Sequence, residues 1–365
     1  MIPAVKIIIG EKEKELVKEV LNSGMLAQGP KVKEFEEKFA DLCDVNHAIA
    51  VNNGTAALHS ALFAVGIKPG DEVITVPFTF VATANSIIMQ GAKPVFVDIK
   101  TDTFNIDPEK IKEAITPKTK AIIPVDLYGQ IYDYKAIKEI ADEHNLKIVE
   151  DAAQAVNAEL DGRKAGTFGD ASTFSFYATK NLVTGEGGMV TTNNPKIAEK
   201  VKLFRHHGQS EKQRYEYHCM GYNYRMMDLQ AAIALGQIEK IEEFTKKRIE
   251  NAGLLTAGLK DVEGIKIPFV KPNARHVFHQ YTIKVEDEFN LTRDELIQLL
   301  KKNDIGYGIY YPKPLHLHSW FAKLGYKEGD FPVSERLSKQ VISLPVHPSV
   351  SPADIDKIVE VIKNA

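Results

Sequence analysis

Short apolar runs separated by amphipathic stretches fill the first two-thirds of the chain. The runs at 47–51 (HAIAV), 72–76 (EVITV), 94–98 (PVFVD), 121–125 (AIIPV) and 147–150 (KIVE) are rich in valine and isoleucine. A strand buried on both faces reads as such a continuous run rather than as an alternation. Between the runs, residues 55–65, 81–90, 108–115 and 134–144 carry apolar positions at helical spacing. Strand and helix in turn predict an α/β fold, with a large, mostly parallel sheet covered by helices on both faces. Two shorter strands are predicted at 172–176 and 189–192, around a glycine-rich loop. A long helical tract follows over 228–259, with Leu229, Ile233, Ile238, Ile241 and Phe244 in phase. After Gly264 a strand at 280–285 mixes with helices at 293–302 and 353–363, the pattern of a compact α+β unit. The expected organisation is therefore a large domain over residues 1–240 and a smaller C-terminal α+β domain over 241–365, without internal repeats.

Composition narrows the functional classes. The chain has 365 residues and a formal net charge of -3, so no basic field is available to hold nucleic acid or an acidic membrane. A small nucleotide could still be held by a few local cations. Cys43 and Cys219 form no CxxC pair, which argues against a disulfide scaffold or a cysteine-rich zinc site and for a reducing compartment. The opening MIPAVKIIIGEKEKEL turns to alternating charge after a short apolar patch, unlike a signal peptide, and no apolar stretch reaches membrane-spanning length. The expected location is the cytoplasm. His316 and His318, with His347 downstream, lack acidic or cysteine partners at ligand spacing, so no metal site is predicted.

Three features carry chemistry. In EDAAQ (150–154) Asp151 follows a strand directly, which puts a carboxylate at the edge of a parallel sheet where ligands bind. It reads either as a cap or salt-bridge partner, or as the partner of a protonated pyridine nitrogen that keeps a cofactor ring electron-poor. In STFSFYATKN (172–181) Lys180 sits in a loop after a strand and ahead of GEGG (185–188), where a partly desolvated lysine could form a Schiff base. In NNGTAAL (52–58) a strand turns into a helix at Gly54 and Thr55, leaving free N–H groups suited to phosphate. Neither GxGxxG nor GxxxxGK[ST] occurs. A phosphate-suited helix start, a strand-end aspartate and a later lysine are the three anchors pyridoxal phosphate requires.

Through these and further motifs the chain resembles the DegT/DnrJ/EryC1/StrS family of sugar aminotransferases, enzymes of fold type I. The matching segments include GMLAQGP (24–30), NNGTAAL, GDEVITVPFTFVATAN (70–85), EDAAQ, FSFYATKN with GEGG, GYNYRM (221–226) and YPKPLH (311–316). The resemblance implies that Lys180 is the Schiff-base lysine and later moves a proton, and that Asp151 partners the pyridine nitrogen. It implies that Gln154 lies near the phenolic oxygen and that Phe80 stacks on the ring, although core packing is an alternative for Phe80. Gly54, Thr55 and Ser175 would contact phosphate, and Asn223 would reach the site of a neighbouring subunit, so that a homodimer shares its sites. Tyr311 and His316 would line the substrate site. Arg205, ahead of His206, His207 and Gly208, could hold a substrate phosphate or cap a helix.

The implied reaction passes an amino group from L-glutamate, which leaves as 2-oxoglutarate, to a nucleotide-linked keto-sugar, with the 4-keto, perosamine type placed first. Alternatives are a UDP-linked 3-oxo sugar such as 3-oxo-glucuronate, or a related sugar dehydratase. Dehydratases of the family carry histidine where Lys180 stands. A non-enzymatic regulator is disfavoured because every cofactor anchor is present.

Overall fold

A computed structural model describes residues 1–210 and 215–365. Its centre is a seven-stranded sheet: β1 (His47–Val51), β2 (Glu72–Thr75), β3 (Lys93–Phe96), β4 (Thr119–Ile122), β5 (Lys147–Asp151), β6 (Ala171–Ser175) and β7 (Gly188–Thr192). The spatial order is β1-β7-β6-β5-β4-β2-β3. Pairing is parallel from β6 through β5, β4 and β2 to β3, and β7 alone runs against both its neighbours. That reversal follows from the short loop after β6, which returns the chain without a crossover helix and holds Lys180.

The helices of this part are α1 (Glu11–Ser23), α2 (Pro30–Cys43), α3 (Gly54–Val65), α4 (Val81–Met89), α5 (Pro108–Ala114), α6 (Tyr134–Glu143), α7 (Pro195–Arg205) and α8 (Asp228–Ile238). Successive strand residues serve opposite faces. Ala50, Ile74 and Ile148 join a core with Phe35, Phe39 and Leu235. Their neighbours Ile49, Val73 and Val149 join another with Leu62 and Val201. Two covered faces explain why the strands read as unbroken apolar runs. In the first core Phe39 is fully buried and meets the rings of Phe35, Phe174 and Phe176 edge-on at 5.7, 5.0 and 5.3 Å.

The main elements of the C-terminal part are α9 (Ile241–Leu259), β8 (Ile265–Lys266), β9 (Tyr281–Val285), α10 (Arg293–Lys302), α11 (Pro332–Gln340), β10 (Val341–Leu344) and α12 (Pro352–Lys363). The three strands form an antiparallel sheet, and with α9, α10 and α12 they bury Leu255, Ile283, Leu296 and Ile358 in a further core. We propose that this C-terminal part is a domain of its own. Ile2 also enters its core and bridges to Ile305, so the first residues of the chain pack with it.

The tract expected as one helix over 228–259 is two, α8 and α9, broken at Glu239 and Lys240. The joint is fixed by Glu13, a buried carboxylate of α1. It accepts from Gln237 Nε2 at 2.6 Å and from Lys240 Nζ at 2.6 and 2.8 Å. The break lets α8 stay with α1 and α2 while α9 crosses to the C-terminal core. Among the described residues no helix is long and apolar enough to cross a membrane.

Removing Phe39 empties a site whose rings interlock, and Phe→Ala in such a core costs about 3–5 kcal/mol. Phe39→Ala should lower the thermal midpoint by roughly 10 °C in a differential scanning measurement. A shift under about 2 °C would show that the ring cluster does not bear on stability.

Candidate active site

The carboxyl ends of the parallel strands share one edge of the sheet, and Asp151, Ser175 and the Asn53–Gly54 turn lie at strand ends there. β5 delivers Asp151, which is 4% exposed. Its Oδ2 accepts from Thr83 Oγ1 at 2.8 Å and its Oδ1 from the Ala153 N–H at 3.3 Å. Thr83 lies in the first turn of α4, where its hydroxyl also meets Thr79 Oγ1 at 3.0 Å. Burial pushes the Asp151 carboxyl above its ordinary value, while the Thr83 and Ala153 bonds and the charge of Lys180 pull it back. Phe80 caps the same helix and is 58% exposed, so its ring is not core packing but an aromatic face left open beside the Asp151 anchor.

Lys180 follows β6, its N–H bonded to Tyr177 O at 2.8 Å. Its amine makes no hydrogen bond among the described residues. Burial pushes it down to about 8, against the opposing charge of Asp151. More of the amine is then neutral at pH 7 than for a solvated lysine.

The start of α3 completes the edge. Asn53 Oδ1 accepts from the Ala56 N–H at 2.8 Å, and the N–H groups of Gly54 and Thr55 donate to no described residue. A side chain at Gly54 would begin 2.8 Å from Ser175 Cβ, and one at Gly188 only 2.4 Å from Asn53 O. The close approach of three backbones thus sets two free N–H groups beside the Ser175 hydroxyl, a set of donors suited to phosphate. Asn223 is exposed on the segment alongside, where Asn52 donates from N to Tyr224 O at 2.8 Å and from Nδ2 to Asn223 O at 3.4 Å.

Gln154 is committed on both sides. Its Oε1 accepts from the Tyr128 N–H at 2.9 Å, and its Nε2 donates to the Tyr311 hydroxyl at 3.3 Å. Burial and the nearby Asp151 charge push the Tyr311 phenol up, which places that hydroxyl in the same electrostatic neighbourhood as Asp151.

The profile of the DegT/DnrJ/EryC1/StrS aminotransferase family matches residues 7–363. The chain belongs to this family. It is 44% identical, over 98% of its length and 95% of the relative's, to spore coat polysaccharide biosynthesis protein SpsC of Bacillus subtilis (strain 168). It is 42% identical, over 95% of its length and 93% of the relative's, to GDP-perosamine synthase of Caulobacter vibrioides (strain ATCC 19089 / CIP 103742 / CB 15). The crystal structure of S. venezuelae DesV with a ketimine intermediate superposes with a TM-score of 0.94 at 35% identity, covering 99% of this chain and 98% of that one.

Within this DegT/DnrJ/EryC1/StrS aminotransferase, two expectations meet a different local picture. His316 is 1% exposed, its Nε2 3.0 Å from Glu335 Oε1 and its ring edge-on to Phe331 at 4.7 Å. Its neighbours Leu315 and Phe331 belong to a cluster with Val81, Ala84 and Ile88 of α4, and its Nδ1 is buried without a partner among the described residues. Arg205 is 2% exposed, paired with Glu36 and donating to Ala50 O at 2.8 Å, so it ties α7 to α2 and β1.

Sequence reasoning missed two positioning residues of the site. Thr83 had a signal, since it lies three positions after Phe80 and must share the first turn of the same helix. Tyr128 had none: it holds φ 61, donates its N–H to Gln154 and bonds through its hydroxyl to Tyr310 O beside Tyr311.

The Lys180 amine should titrate with a midpoint near 8, against about 10.4 for a solvated lysine. Isotopic dimethylation of the cofactor-free protein followed by NMR reads this, the resonance being assigned by its loss in Lys180→Arg. A midpoint above about 10 would contradict the desolvation.

Proposed function

We propose that this protein transfers an amino group from L-glutamate to the 4-keto carbon of a nucleotide-linked sugar, with pyridoxal phosphate held at Lys180. The observation that carries the reading is the opposition of a desolvated, unbonded amine at Lys180 to a buried carboxylate at Asp151, at a sheet edge that also carries a phosphate cradle. The donor set fits the cofactor part by part. Lys180 offers a nucleophilic amine, and Asp151 an anchored anion for the pyridine nitrogen. Phe80 offers an open ring face, and the Gly54, Thr55 and Ser175 groups offer unspent donors for the phosphate. When bound, pyridoxal phosphate supplies an electron sink that acidifies the hydrogen on the amine-bearing carbon.

The chain's own groups do the rest. Thr83 keeps the Asp151 carboxylate oriented and ionised, because a hydrogen bond to a charged acceptor favours the charged form by about 1.5–3 kcal/mol. The Lys180 amine, with an affinity for protons close to neutrality, can take a proton from one carbon and return it to another. Gln154 fixes the Tyr311 hydroxyl near Asp151, where a substrate would meet it. The place of the 4-keto sugar rests on the likeness to GDP-perosamine synthase, and a role in polysaccharide assembly on the likeness to SpsC.

The homodimer with shared sites belongs to the same proposal. Asn223 stands exposed next to the segment leading into Gly54. Met25, Leu26 and Met227 are also exposed, in a neighbourhood joined by the Asp228 N–H to Ala27 O bond.

Lys180→Ala should abolish both turnover and the visible absorbance of the reconstituted protein. Mixed dimers of Lys180→Ala with Asn223→Ala should recover part of the activity, and their failure to do so would remove the shared site. Thr83→Val should weaken cofactor retention about tenfold, measured by dialysis and absorbance, since about 1.4 kcal/mol of Asp151 orientation is lost. A panel of 3-keto and 4-keto nucleotide sugars with glutamate, read by mass spectrometry, tests the substrate. Product only from 3-keto sugars would overturn the 4-keto reading.

A further inference from the structure

A small cavity of about 20 Å³ lies against the Lys180 loop. Residues 5–8, residues 178–181, Phe244 and Arg248 of α9 contribute to its wall. Arg248 is 7% exposed. Its Nη1 donates to Phe278 O at 3.2 Å and His279 O at 3.5 Å. Its Nε is buried without a partner, and Nη2 donates to no described residue. Among the described residues no carboxylate pairs with this guanidinium, although buried arginines are ordinarily paired. The other charges on the cavity wall are Lys6 and Lys180, and no acidic residue lines it. Asn181, also on the wall, is not bonded to Arg248; its Oδ1 lies 3.2 Å from His279 Nδ1.

We propose that this cavity is a binding site for a small monovalent anion, with Arg248 as its principal donor and Lys6 as its second cation. Water could accept the unspent N–H bonds, but it leaves a buried positive charge uncompensated. An anion does both. The volume admits a group about the size of one water molecule, which selects chloride or a single carboxylate head over phosphate or sulfate. The wall is built rather than incidental. Gln237 Nε2 holds Ile8 O at 2.9 Å and His347 Nε2 lies 3.0 Å from Pro3 O, so the N-terminal strap is fixed over the cavity from two sides. Bound there, the anion ties the strap to the loop that presents Lys180. The proposal does not depend on which sugar the enzyme uses.

The test uses the full-length protein, cofactor-free and cofactor-loaded, at constant ionic strength with gluconate replaced stepwise by chloride, bromide, formate or sulfate. The thermal midpoint should rise saturably by about 3 °C with the monovalent ions and not with sulfate. Arg248→Met should abolish the rise. Lys6→Met, a change at an exposed residue that leaves the fold intact, should weaken the apparent affinity several-fold. Crystals grown in bromide should give an anomalous peak within hydrogen-bonding reach of Arg248 Nε. Tighter saturation by formate than by chloride upholds the site and makes a carboxylate its ligand. A non-saturating response, the same response in wild type and both variants, or bromide crystals without that peak would overturn the proposal.

Discussion

Asp151 and Lys180 bring opposite charges to a place that solvates neither of them well, and much of the surrounding structure answers that constraint. Each group alone would lose its charge to burial, the carboxyl by rising and the amine by falling. Each opposes the other's shift, and Thr83 adds a charge-assisted hydrogen bond on the carboxylate side. Among the described residues no such bond is given to the amine. The asymmetry leaves an oriented anion facing a lysine that gives up its proton near neutral pH, as an amine that must attack a carbonyl requires.

The sheet makes this possible by delivering its parts from one edge. β5 ends on Asp151, β6 on Ser175 and β1 two residues before the Asn53 cap, while the reversed β7 starts at Gly188 against Asn53 O. The two glycines bring these ends closer than any side chain would allow. Two apolar cores hold the sheet from both faces, so the edge is rigid without contribution from the groups that do chemistry.

Most of this was legible in the sequence because local pattern dictated it. The strand runs, the helix starts and the Asp151 and Lys180 placements follow from periodicity and from motifs that sit at strand ends. What was not legible depended on distant partners. The helix break at Lys240 is set by Glu13 from the other end of the chain, and the missed helix α1 hides its few apolar positions among charges. His316 was expected at the site from the resemblance and Arg205 from its place ahead of His206 and Gly208, and only the positions of Glu335 and Glu36 show which protein groups each one meets. Tyr128 reaches the site through an unusual backbone angle that its side chain does not announce.

The central claim is that Lys180, and no other lysine, bonds covalently to the cofactor. Lys271 is the natural rival, for burial pushes it also to about 8, but its Nζ is spent on Ile131 O at 2.6 Å. Borohydride reduction of the pyridoxal phosphate-loaded protein, followed by peptide mass spectrometry, decides between them. The pyridoxyl label should appear on Lys180 alone; a label on Lys271 or elsewhere, or none at all, would contradict the account.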